Sequence, residues 1–120
     1  MDKKKVLLVD DEVDTLLVLA KQLTTEGFIV VTANCGTQAL NSAESEQPDL
    51  IVLDINMPDI DGGEVAFRLK QNLKTKDIPV IYSTCLLSEN EQYQYGGNVM
   101  LAKTKNTKEV IAVIKDVLSI

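Results

Sequence analysis

A doubly wound α/β fold, five parallel strands with helices on both faces, is what this sequence predicts, on three observations. Short apolar runs alternate with amphipathic stretches from one end of the chain to the other. The runs suit strands covered on both sides, and parallel neighbours need right-handed crossovers that intervening helices supply. Several runs end at a carboxylate or another polar residue, and in such folds ligands collect outside the carboxyl ends of the strands.

The first run, Val6 to Val9, is apolar on both faces and β-branched at its ends, and it stops at Asp10. A helix pattern then places Leu16, Leu19, Ala20 and Leu23 on one stripe, with Gly27 as its C-terminal stop. Phe28 to Thr32 is the second strand. Ala39, Leu40 and Ala43 mark a weaker helix that must end before Pro48, because the residue preceding a proline is pushed out of the helical region. Leu50 to Leu53 is the third strand, stopping at Asp54. Val65, Ala66 and Leu69 give a third helix, with Asp61 as its cap and Glu64 three residues on in the manner of a capping box. Pro79 opens the fourth strand, Val80 to Ser83, and a polar stretch rich in Glu and Gln precedes the fifth, Val99 to Ala102. The last helix turns Val110, Val113, Ile114 and Val117 inward. Five strands and about five helices result.

With 120 residues and 45% hydrophobic content, the chain builds one core, and no repeat, low-complexity tract or linker divides residues 1–120. A formal charge of −6 disfavours nucleic acid and anionic membranes as direct partners. No apolar run approaches the roughly 20 residues needed to cross a bilayer, and the Lys-rich start leads into a strand rather than a signal peptide. A cytoplasmic location is expected. Cys35 and Cys85 lie far apart and histidine is absent, so the usual transition-metal sites cannot be assembled and both thiols read as reduced and inert.

At the carboxyl ends of the predicted strands stand Asp10 and Asp11, Asp54, Thr84 and Lys103. Three carboxylates gathered without a counter-charge repel, so the set predicts a cation. Oxygen ligands alone point to Mg²⁺ or Mn²⁺ with several waters kept. A metal so held can neutralise an incoming phosphoryl group, Lys103 can pair with its oxygens and the Thr84 hydroxyl can donate to them, which leaves one carboxylate as nucleophile.

In order and spacing, across essentially the whole chain, the sequence resembles the receiver family of response regulators. The family's acidic pair after the first strand matches Asp10 and Asp11. Its phosphoacceptor run matches Leu53-Asp54-Ile55-Asn56-Met57-Pro58-Asp59-Ile60-Asp61-Gly62, a highly specific motif. By this resemblance Asp54 is the phosphoacceptor, Asn56 lends its backbone carbonyl to the metal, and Thr84 and Lys103 are the family's hydroxyl and lysine. The flavodoxin-like strand order 2-1-3-4-5 is implied too. So is a phosphohistidine donor on a histidine kinase or phosphotransfer protein, with a downstream output domain or protein and a homodimer formed on activation as further partners. The implied role is a switching module rather than a turnover enzyme.

Each residue also has a plainer reading: Asp10 and Asp11 as helix caps, Asp54 as turn chemistry before Pro58, Thr84 as a strand end and Lys103 as a solvated loop lysine. Asp59 and Asp61 read as turn and cap residues rather than ligands. Four positions depart from the family pattern. Thr104 replaces the proline after the lysine, so a cis bond there costs about 2.5 to 4 kcal/mol and a trans bond is expected. Met100 replaces the strand-five aromatic whose rotamer reports phosphorylation. Between Thr84 and Gly96 the chain is short and lacks apolar periodicity, which predicts a short or frayed fourth helix. Cys85 and Leu86 flank the phosphoryl site, and Leu86 offers nothing to orient a hydrolytic water, so dephosphorylation should be slow.

Three rivals share parts of this pattern. A pseudo-receiver, binding partners without phosphate, keeps the fold but needs no acidic set. A Mg²⁺-dependent phosphohydrolase with an aspartyl nucleophile requires a second acid where this chain has Asn56, and room for a substrate cap. A flavodoxin-like electron carrier requires aromatics and a phosphate-cradling loop after the first strand.

Overall fold

Side chains alternate across a strand, so a strand between two helical layers must be apolar at every position and hands alternate residues to opposite cores. The computed structural model describes residues 3–54, 57, 59–84, 92–95, 98–102 and 107–120. Within them the chain runs β1 (Lys5–Val9), α1 (Val13–Thr25), β2 (Ile29–Ala33), α2 (Gly36–Glu46), β3 (Leu50–Asp54), α3 (Gly62–Gln71), β4 (Val80–Thr84), β5 (Gln92–Tyr95), β6 (Asn98–Ala102) and α4 (Thr107–Leu118). The strands form one sheet in the order β2-β1-β3-β4-β6-β5. All neighbours are parallel except β5, which runs antiparallel to β6.

The alternation is strict in the central strands. Val6, Leu8, Leu50, Val52 and Ile81 join Leu16 and Leu23 of α1 and Val110, Ile111, Val113 and Ile114 of α4 in one core. Leu7, Val9, Ile51, Leu53, Val80 and Tyr82 join Ala39 and Ala43 of α2 and Val65, Ala66 and Leu69 of α3 in the other. Every one of these side chains is buried. Loss of a methylene-rich member costs roughly 2–5 kcal/mol, so both faces hold β1 and β3 in place.

Helix ends follow local chemistry. Gly27 adopts φ +98° after α1, its N–H bonding the Thr24 carbonyl (3.0 Å) while the Phe28 N–H reaches Leu23 (3.0 Å), a Schellman ending with Phe28 buried against the core of Leu23. Asp61 caps α3 through Oδ1, which accepts the Glu64 N–H at 2.9 Å. The Glu64 carboxylate turns instead to Arg68 (3.3 Å), so the expected capping box is realised in its Asp61 half.

The predicted five-strand parallel order is present, with β6 in the fifth place beside β4. A sixth strand, β5, is added to the five expected, and the described residues hold four helices, most of the stretch expected to carry a further one, residues 85–91, lying outside them. The described part of the stretch expected to hold a short fourth helix is strand β5. Gln92-Tyr93-Gln94-Tyr95 has no helical apolar stripe and two aromatic residues of high strand preference. The register pairs Tyr95 with Asn98, with Gly96-Gly97 between them in sequence, the residue type that two-residue hairpin connections favour.

Candidate functional site

The adjacent interior strands β1 and β3, which run parallel, end at the same edge of the sheet, with Val9 opposite Leu53 in the register. Asp10 and Asp54 are therefore brought side by side by backbone pairing. The Asp10 N–H bonds the Ala33 carbonyl of β2 (3.1 Å), and Asp10 Oδ1 accepts the Glu12 N–H (2.9 Å), which turns the chain into α1. One carboxylate oxygen from each of Asp10, Asp11 and Asp54 lies within 4.8 Å of the others. Asp10 and Asp54 are buried and Asp11 is exposed, so the cluster is walled by the sheet and open on the Asp11 side.

Helix capping does not account for these aspartates. The N-cap of α1 is Glu12, and Asp10 and Asp11 stand before it. Two like charges this close repel by roughly 3 kcal/mol at an effective dielectric near 20, less where water screens Asp11. The donor set fits a hard cation: it is all oxygen, and opposite ligands of an octahedral Mg²⁺ stand about 4.2 Å apart, inside the 4.8 Å limit within which the three oxygens lie.

Asp54 pairs with Ser83 across β3 and β4, and Thr84 pairs with Ala102 across β4 and β6. The backbone thus brings Thr84 to the same edge as Asp54 and ends β6 one residue before Lys103. Lys103 itself, Asn56, Cys85, Leu86 and the Lys103–Thr104 bond lie outside the described residues. Met100 is in β6, opposite Tyr82 of β4.

One residue that the sequence presents only as turn chemistry has a larger part. Asp59 Oδ1 accepts the Gly36 N–H (2.8 Å), and Oδ2 accepts the Thr37 N–H (3.0 Å) and hydroxyl (3.1 Å). The N–H groups of Gly36, Thr37 and Ile60 hold the Asp59 carboxyl well below the usual carboxylate range. Two of these partners, Gly36 and Thr37, are more than twenty residues away in sequence, so no local pattern announces them.

Beside the acidic cluster, α1 leaves Val13, Leu17 and Val18 exposed, at 54%, 63% and 55%, an unusual concentration of apolar surface on one helix. Among the described residues no helix is long and apolar enough to cross a membrane.

Residues 6–115 match the family model of the response regulator receiver domain. The alkaline phosphatase synthesis transcriptional regulatory protein PhoP of Bacillus subtilis is 36% identical over 118 residues, covering 96% of this chain and 48% of the relative. The chain thus spans about half the length of the curated relatives it matches. The response regulator TrrA of Thermotoga maritima, solved in complex with Mg²⁺-BeF, superposes with a TM-score of 0.78 at 31% identity, covering 94% of this chain and 97% of that one. TrrA solved in complex with the histidine kinase ThkA gives a TM-score of 0.82 at 33% identity, covering 96% and 98%. With a family model matched over residues 6–115 and a relative 36% identical across 96% of the chain, the chain belongs to the response regulator receiver domain family.

Proposed function

We propose that this domain is a phosphorylation-controlled switch in which Asp54 takes a phosphoryl group from a phosphohistidine, with Mg²⁺ or Mn²⁺ held by Asp10, Asp11, Asp54 and the backbone carbonyl of Asn56. The observation that carries the reading is the convergence of three carboxylate oxygens within 4.8 Å at the ends of two adjacent central strands. When bound, the cation supplies positive charge that offsets repulsion between the carboxylates and the phosphoryl oxygens. An Asp54 carboxylate oxygen attacks phosphorus in line as the donor's P–N bond breaks. The electron pair stays on the imidazole nitrogen, so a donor protonated at its other ring nitrogen leaves as neutral histidine and Asp54 becomes an acyl phosphate. Lys103 pairs with the transferred oxygens as a point charge and the Thr84 hydroxyl donates to them.

Burial of Asp54, 1% exposed, means that the donor must come to the open Asp11 side, where α1 begins. The exposed Val13, Leu17 and Val18 give a histidine kinase or phosphotransfer protein an apolar surface against which to align its histidine. The kinase complex of TrrA supports that partner class. The domain switches rather than turns over, works in the cytoplasm, and passes its state to an output domain or protein, as the greater length of its transcriptional-regulator relatives suggests. Strand β5 in the fourth-helix stretch and Met100 in β6 make its output face atypical for the family.

Incubation with acetyl phosphate and Mg²⁺, followed by intact-mass measurement, tests this. The wild-type chain is expected to gain one phosphoryl group, and chelation of the metal or Asp54→Asn to abolish the gain. An unlabelled wild type would support a pseudo-receiver instead; a labelled Asn variant would move the acceptor elsewhere, and steady hydrolysis of p-nitrophenyl phosphate would favour a phosphohydrolase.

A further inference from the structure

We propose that Asp59 is a positioning residue for the phosphoacceptor pocket, fastening the loop after Asp54 to the amino end of α2. The inference rests on the reading of Asp54 as a metal-assisted acceptor. Between the end of β3 at Asp54 and the cap of α3 at Asp61 the chain has six residues, and Asp59 divides them. Its two carboxylate oxygens are used separately, one on the Gly36 N–H and one on Thr37, so the side chain is fixed in direction as well as position. Charge-assisted bonds to backbone N–H groups at a helix start are among the stronger polar contacts available.

The seam is close as well as polar. A Cβ at Gly36 would stand 2.9 Å from Ile60 Cβ and 3.0 Å from the Ile60 carbonyl, so the loop backbone lies against α2 where only glycine leaves room. Met57 and Ile60 pack on the core shared by α2 and α3. The described residues between Asp54 and the cap of α3, Met57, Asp59 and Ile60, are therefore all gripped. A carboxylate ligand whose chain is held close by costs less to immobilise than one followed by a free segment, and residues that orient metal ligands typically change affinity by 10- to 100-fold when removed. An ordinary helix cap would add to stability and leave metal affinity untouched.

Mg²⁺ titration of the whole chain by calorimetry, with no phosphodonor present, separates these roles. Asp59→Ala is expected to weaken Mg²⁺ binding roughly tenfold, and Asp59→Asn by less, since its amide oxygen keeps one acceptor. Gly36→Ala tests the seam from the other side with the carboxylate intact. It should weaken binding similarly, and the double variant should be little worse than either single one. Folded Asp59→Ala and Gly36→Ala proteins that bind Mg²⁺ within about twofold of wild type overturn the proposal and leave Asp59 as a cap. A wild-type chain that fails to bind Mg²⁺ sinks the reading of the acceptor site itself, and this inference with it.

Discussion

The two helical faces of the sheet are held together by different means. On one, α2 is stitched by polar contacts over long sequence separations, Asp59 to its start and Asn72, just past α3, to Glu44 (3.0 Å), while the buried Thr75 hydroxyl closes the end of α3 on the Leu69 carbonyl (2.7 Å). On the other, α1 and α4 meet through apolar side chains and a half-exposed Lys115–Glu26 pair (2.7 Å), the kind of contact that contributes little. That second face also leaves Val13, Leu17 and Val18 exposed beside the acidic cluster. Both faces flank the same strand tips, and the contrast assigns them separate tasks. Under the proposed function the stitched face keeps the pocket in shape and the apolar face receives the donor.

The contrast breaks most visibly at Leu17. Leu17→Asp places a charge in the exposed apolar surface without touching the core, since the side chain is 63% exposed. Phosphoryl transfer from a histidine-phosphorylated partner should slow by about tenfold or more, as truncation at the centre of a docking surface does. Labelling by acetyl phosphate, which needs no protein surface, should stay the same. A parallel fall in both rates would show that α1 shapes the pocket after all.

A smaller effect is expected on the stitched face. Thr75→Val removes the buried hydroxyl while keeping its shape, and the Leu69 carbonyl retains the Asn72 N–H at 3.3 Å. The cost should be about 1 kcal/mol, read as a lower urea midpoint at unchanged slope. Acetyl phosphate labelling should be unaltered in the folded protein, because Thr75 lies at the far end of α3 from Asp54. A large labelling defect would mean that stitching throughout this face, and not Asp59 alone, orders the pocket.

Sequence reading succeeded where one residue's neighbours decide its fate. The double-sided apolar runs of β1 and β3 could only be central strands, and once they were, Asp10, Asp11 and Asp54 had to meet at their tips. Gly27 and Asp61 carried helix ends in their own chemistry. Strand β5 is not legible in the sequence, because an edge strand needs a single partner and only a weak pattern, and the Glu- and Gln-rich composition around Tyr93, Tyr95 and the two glycines that follow masks even that. The part played by Asp59 is equally hidden, because its contacts with Gly36 and Thr37 are set by how α2 and the chain after β3 dock, which no local window contains.

The faintest effect sharpens the comparison through acid. Backbone N–H groups stabilise the charged Asp59 carboxylate, so its proton affinity is lower in the folded chain than in the unfolded one. The unfolded state then binds more protons in the range where free aspartate titrates, and stability from this group rises with pH there. It is fully present above about pH 4, the ordinary aspartate range, and is progressively lost below it. Asp59→Asn keeps the shape of the contact and cannot titrate. Its urea midpoint should lie below that of wild type at neutral pH, and the gap should narrow as pH is lowered through 4 toward 3, roughly the range in which free aspartate takes up its proton. Contributions from the other carboxylates cancel in that difference. The Lys115–Glu26 pair across the opposite face is exposed at both ends, and Glu26→Gln should leave the urea midpoint almost unchanged. A gap for Asp59→Asn that stays constant on acidification would mean that the carboxylate charge adds nothing to the bracket, and the stitched face would then owe its order to the close packing of Gly36 against Ile60 alone.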